Sequence, residues 1–196
     1  MTDGALRDTV LVVCTANRCR SRMGEVLLAH HAAEAGWPAA ISSAGTRADG
    51  APLMDDVARV LRRRGLEAEW DAPSRPLTEA LLDAVDLILV MERAHLLAIA
   101  DLSMQATQRA FPWAELAGTD PDLARRPGQP LRDWAAERNA GRSAASVLAV
   151  DTASDVDDPT GRGGRAHRRT LRRLDDDARR LVDLLAGLRT ARRPPG

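Results

Sequence analysis

Thr9-Val10-Leu11-Val12-Val13-Cys14-Thr15-Ala16-Asn17-Arg18-Cys19-Arg20-Ser21 sets a β-branched apolar run directly against a polar turn. Residues 9–14, apolar on both faces, read as a buried strand of a parallel sheet. Met23, Val26, Leu27 and His30 then recur at helical spacing, which predicts a helix running to a stop at Gly36. The polar turn therefore lies between a strand end and a helix N-terminus. Free backbone N–H groups converge there and the helix dipole adds positive potential, which suits an anion. Cys14 opens the turn and Arg20 closes it. A loop of this length can wrap a phosphate, with the Arg20 guanidinium binding two of its oxygens in a fork. The Cys14 sulfur then lies under the phosphorus, placed for in-line attack, and the surrounding donors favour its thiolate. Ser21 can donate a hydrogen bond to that sulfur, and Asn17 tolerates the positive φ that a tightly wound loop needs.

Outward from this stretch, strands and helices alternate. Residues 40–44 read as a second strand. Residues 55–64 read as a helix closed by Gly65, with Val57, Val60 and Leu61 on one face. Thr78 caps a short helix carrying Leu81 and Leu82. Residues 87–91 form the clearest strand after the first, 92–102 a helix, and 109–111 a short fourth strand. Residues 131–139 look helical, and 144–150 read as weak structure. The Leu171, Leu174, Ala178, Leu181, Leu185 and Leu188 pattern predicts a long helix over 170–188. Such alternation predicts an α/β three-layer sandwich: a parallel sheet of about four strands with helices on both faces. The expected organisation is one domain over 1–196, with its core at about 9–188. Residues 117–155 would be an inserted or flexible segment, and 189–196 a frayed tail.

Composition narrows the function classes. The 196 residues include 28 Lys+Arg, all of them Arg, and 28 Asp+Glu, a formal net charge of zero. That argues against a dedicated nucleic-acid binder. Two cysteines do not make a secreted disulfide framework, and neither a signal segment nor a membrane-length apolar run is found. These readings predict a cytoplasmic protein with no membrane partner. From Gly161 onward eleven Arg face four Asp. A solvated helix face and a patch for an anionic partner both fit that excess. His30, His31, His95 and His167 show no metal spacing and read as solvent or helix-face residues. Trp37, Trp70, Trp113 and Trp134 read as packing residues, with Trp70 and Trp113 as candidate pocket walls.

Residues 13–21 resemble the low-molecular-weight protein tyrosine phosphatase signature Val-Cys-x-Gly-Asn-x-Cys-Arg-Ser, except that Ala16 stands at the Gly position. Ser43-Ala44-Gly45-Thr46 is similar to the family's loop after the second strand, residues 86–91 to its third strand, and Asp158-Pro159 to its acid loop. The resemblance implies the phosphotyrosine protein phosphatase I-like fold and a cysteine-dependent phosphomonoester hydrolase without metal or cofactor. Cys14 would be the nucleophile, forming a thiophosphate intermediate. Arg20 would bind the phosphate together with the loop residues Thr15, Ala16, Asn17, Arg18, Cys19 and Ser21. Asp158 would protonate the leaving group and then activate water. Asp157 and Asp155 are neighbouring alternatives, but only Asp158 precedes a Pro. Ser43 would support Asn17, and Cys19 would form a reversible protective disulfide with Cys14. The implied substrate is a phosphorylated protein or small phosphoester, released as inorganic phosphate by a monomer or weak dimer.

The chain also departs from the phosphotyrosine pattern. Thr160 and Gly161 follow the Asp-Pro where an aromatic is usual, and the stretch Arg47-Ala48-Asp49-Gly50 carries no aromatic wall. Ala72 stands where the family has a supporting His, and Arg18 makes the rim cationic where Ile is common. Competing readings are thiol-coupled arsenate reduction, phosphoarginine hydrolysis (whose related enzymes favour Thr at the Arg18 position) and phosphoprotein binding with weak activity.

Overall fold

The computed structural model describes residues 7–68, 71–142 and 152–187. Four strands form one parallel sheet: β1 (Asp8–Cys14), β2 (Ala39–Gly45), β3 (Leu87–Val90) and β4 (Ala110–Pro112), in spatial order β2-β1-β3-β4. The helices are α1 (Arg20–Glu34), α2 (Asp55–Arg62), α3 (Glu79–Asp83), α4 (Ala94–Leu102), α5 (Trp113–Ala117), α6 (Leu131–Asn139) and α7 (Gly163–Leu185). Short 3-10 turns stand at Met104–Arg109 and Pro121–Leu123.

The period-2 geometry of β1 divides the core in two. Val10 and Val12 face the layer of α1, α2, α5, α6 and α7, where Met23, Leu61, Trp113, Trp134, Leu174 and Leu181 are buried. Leu11 and Val13 face the other layer, with Leu82 of α3 and Leu96 and Ile99 of α4. Helices on both faces explain why the run at 9–14 lacks alternation: each face has its own apolar partner. The expected sandwich is therefore the observed one.

Two expectations need correction. Strand β4 lies one residue later than 109–111, because Pro112 fits an edge strand where its missing N–H is not required. The last helix begins at Gly163, seven residues before the expected start. The pair Gly163-Gly164 reads as a loop locally, yet Ala166, His167 and Thr170 are buried, and α7 packs on α1, α2 and α5. Within 117–155, expected as an inserted or flexible segment, α6 buries Leu131, Trp134 and Ala135 in the main core. Residues 143–151, Leu188 and the tail 189–196 lie outside the described residues, as does Trp70.

Candidate active site

The chain leaves β1 at Cys14, between β2 on one side and β3 on the other. Connections from β1 and from β2 depart to opposite sides here, the position where open α/β sheets bind ligands. The loop from Cys14 to Arg20 turns its carbonyls outward. Cys14 and Thr15 accept from the N–H groups of Thr46 (3.0 Å) and Arg47 (2.8 Å). Arg18 and Cys19 accept from Met54 (3.1 Å) and Met23 (2.9 Å). The N–H groups of Thr15, Ala16, Arg18 and Cys19 have no protein acceptor among the described residues, whereas that of Asn17 reaches the Cys14 sulfur at 3.3 Å. α1 starts with no side-chain cap and no acidic residue in its first turn, so its dipole is left for an anion.

Asn17 holds the loop in shape. It is the one non-glycine residue at positive φ (54°) among the described residues, so Ala16 at the Gly position costs no backbone strain. Its amide donates to Ser21 (3.0 Å) and Ser43 (2.7 Å) and accepts from the Arg75 N–H (2.9 Å). Ser43 in turn donates to Glu25 at 2.6 Å. Since the Ser21 oxygen accepts from Asn17, its own proton is available to the Cys14 sulfur, 3.0 Å away. Gly45 of β2 backs the loop so closely that a Cβ there would lie 2.7 Å from the Thr15 carbonyl oxygen and 2.8 Å from the Asn17 nitrogen.

Arg20 is buried, and its guanidinium bridges Glu92 and Asp158 (2.7 Å) while donating to the Val156 carbonyl at 3.1 Å. Burial would lower its pKa, but the Glu92 bond and the Asp158 charge more than reverse this. Burial also acts to raise the Asp158 carboxyl. The Thr160 hydrogen bonds, then the charges of Arg20 and His167, outweigh it and hold Asp158 below the usual carboxylate range. The acid loop is clamped by Val156, which is buried and donates to the Met91 carbonyl at 2.8 Å. Asp155 is used in that clamp, accepting from the Arg93 N–H at 2.7 Å, so Asp158 is the carboxylate presented at Arg20. Both cysteines are buried and unbridged. Burial, reinforced by the Asp158 charge, pushes the Cys19 thiol far up and keeps it protonated. Arg18 lies at the rim, half-buried, donating to the Pro52 carbonyl at 3.0 Å.

Glu92 and His95 were missed in the sequence. His95 Nδ1 accepts the Glu92 N–H at 3.1 Å, so the ring carries its proton on Nε2 and donates it to the Thr15 hydroxyl at 3.0 Å. Burial lowers its pKa to about 4. The helix-face reading of the histidines is thus corrected for His31, His95 and His167, all buried against partners distant in the chain. One turn of α1 brings His30, His31 and Glu34 within 4.8 Å of one another, although both nitrogens of His31 are engaged by Glu34 (3.1 Å) and Asp175 (2.8 Å). Trp113 is fully buried beneath the sheet face and lines no mouth.

Residues 9–117 match the model of the family described as low molecular weight phosphotyrosine protein phosphatase. The chain belongs to that family. A Klebsiella pneumoniae protein of the low molecular weight protein-tyrosine-phosphatase type is 36% identical over 103 residues, half of this chain and 65% of that relative's length. The protein-arginine-phosphatase of Geobacillus stearothermophilus is 30% identical over 132 residues, covering 66% of this chain and 86% of that one. The low molecular weight protein tyrosine phosphatase of T. tengcongensis shares the fold, with a TM-score of 0.70 at 23% identity over 91% of this chain and 99% of that one. The matched residues include the Cys-x5-Arg loop at the end of β1.

Proposed function

We propose that this phosphatase-family chain hydrolyses phosphomonoesters through Cys14. The observation that carries the reading is the loop itself. Its carbonyls are turned out, four of its N–H groups have no acceptor among the described residues, its sulfur receives the Ser21 hydroxyl, and a buried guanidinium closes it. In-line attack by the Cys14 sulfur transfers the phosphoryl group to the thiolate, while Asp158 gives its proton to the departing oxygen. Asp158 then takes a proton from water as that water attacks the thiophosphate, releasing inorganic phosphate and the thiolate. The inward N–H groups and Arg20 stabilise the equatorial oxygens in both steps. Asp158 must be protonated for the first step, and its bridge to Arg20 opposes this. An entering phosphate dianion takes the guanidinium and faces the carboxylate with like charge, which raises the Asp158 pKa when it is needed. A nucleophilic free thiol requires a reducing compartment, which supports a cytoplasmic setting.

A second reading, phosphoarginine hydrolysis, is favoured by two relatives named protein-arginine-phosphatase, from Geobacillus stearothermophilus and Bacillus subtilis. The polar rim agrees with it, since Thr160 and Gly161 stand where an aryl ring would stack. Hydrolysis of p-nitrophenyl phosphate by the wild type and by Cys14→Ser, in the presence of a chelator, tests the main reading. Activity confined to the wild type is expected. An inactive wild type, or an active Cys14→Ser, overturns it. Matched phosphotyrosyl and phosphoarginyl peptides then separate the two substrates.

A further inference from the structure

α7 is two helices in its electrostatics. In its second half Arg179 and Arg180 are matched by Asp175, Asp176 and Asp177. In its first half Arg165, Arg168, Arg169 and Arg172 are exposed and have no ion pair among the described residues. Their spacing places them on one face, opposite the buried Ala166, His167, Thr170 and Leu171. This arrangement works against the helix. Cations at its start oppose the dipole, like charges three and four residues apart repel, and the first turn holds no acidic residue. A chain with as many acidic as basic side chains thus concentrates unmatched positive charge where it stabilises the fold least.

The patch adjoins the active site. Asp158 accepts from the Thr160 N–H, Arg162 N–H donates to the Pro159 carbonyl, and α7 begins at the next residue. Thr160 meets Met54 at 3.9 Å, and Met54 donates to the carbonyl of the rim residue Arg18. The arginine face of α7 therefore starts just beyond the acid loop, which itself exposes Asp157 and Asp158, and follows the first two turns of the helix.

We infer that this surface docks an acidic segment flanking the phosphorylated residue of a protein substrate. The inference rests on the phosphatase reading and names its substrate class. A substrate already carrying a phosphate dianion extends naturally into further carboxylates, and these supply the negative charge missing from the helix start. Arginine suits the role, because its planar fork binds carboxylates bidentately.

The test compares wild type with the triple variant Arg165→Glu/Arg168→Glu/Arg172→Glu. The substrates are p-nitrophenyl phosphate and paired phosphotyrosyl and phosphoarginyl peptides, with either acidic or neutral flanks. In the wild type the acidic-flanked peptide is expected to have at least a tenfold lower KM than its neutral partner, and added salt is expected to erase the gap. The triple variant is expected to lose this preference while keeping its rate on p-nitrophenyl phosphate. Its thermal midpoint is expected to be unchanged or raised, since Glu complements the dipole there. Equal use of both flanks by the wild type overturns the inference. So does loss of neutral and acidic substrates alike, hydrolysis of p-nitrophenyl phosphate with no peptide, or charge reversal that abolishes only binding to anionic lipid vesicles. A wild type inactive on p-nitrophenyl phosphate instead removes the phosphatase reading beneath it.

Discussion

Arg20 Nη2 and Asp158 Oδ2 lie 2.7 Å apart, although 138 positions separate them in the chain. The group that would hold the phosphate and the group that would protonate the leaving oxygen are thus in direct contact. Asp158→Asn keeps the shape and removes the proton. It is expected to lower kcat about 10²–10⁴-fold on alkyl phosphates. The loss on p-nitrophenyl phosphate, whose leaving group needs little protonation, is expected to be much smaller. Steady-state kinetics on the two substrates check this, and equal losses would remove Asp158 as the acid.

Glu92 is the other anchor of Arg20. Glu92→Gln keeps a hydrogen-bond acceptor but removes the charge that fixes the fork. A lost charge-assisted bond of about 1.5–3 kcal/mol corresponds to roughly a tenfold to hundredfold loss in kcat/KM. Inorganic phosphate, as a competitive inhibitor, is expected to weaken in parallel.

Gly45 is required by proximity rather than by φ. A Cβ at this position would press on the backbone of Thr15, Ala16 and Asn17, which cannot move without deforming the loop. Gly45→Ala is expected to cost about 1–3 kcal/mol in denaturant unfolding. Its loss of activity is expected to exceed what the unfolded fraction explains.

His95 sets a pH limit. Its folded pKa, lowered by burial to about 4, lies below its ordinary value of 6.5, so the unfolded chain binds the extra proton first. This contribution to stability is complete above pH 6.5 and is lost as pH falls toward 4, by on the order of a few kcal/mol. Urea unfolding between pH 7 and 4 is expected to show a steeper decline for the wild type than for His95→Gln. Gln lacks the titration but can still donate to Thr15.

Cys19 is buried in the same loop as Cys14 and stays protonated at neutral pH. Peroxide would oxidise the Cys14 thiolate to a sulfenic acid. Cys19 would then attack the Cys14 sulfur as its proton passes to the departing hydroxide, so that the S–O bond breaks, water leaves and a disulfide forms that a dithiol reduces. Cys19→Ser is expected to keep most activity but to recover little of it with dithiothreitol after peroxide. Recovery equal to the wild type would exclude this role.

The loop from Cys14 to Ser21 was legible because its residues are contiguous and its bonds are local, as with Asn17 to Ser21 and Ser21 to Cys14. Ser43 and Asp158 were legible only through resemblance, since nothing nearby in the chain marks them. Glu92 and His95 gave no signal, because the end of an apolar strand followed by Glu-Arg-Ala-His reads as an ordinary helix start. The beginning of α7 was hidden by Gly163-Gly164, whose low helix propensity is overridden by the burial of Ala166 and His167.

By itself the sequence determined the order of strands and helices and marked the Cys14–Arg20 turn as the candidate anion site. Both follow from periodicity and from neighbours along the chain. Only the tertiary structure decided which carboxylates face Arg20, why residue 45 must lack a side chain, and that the exposed arginines of α7 follow the acid loop on one helix face. Those relationships join residues many positions apart, and only the parallel pairing of β1 with β2 and β3, with α7 packed on α1, α2 and α5, brings them together.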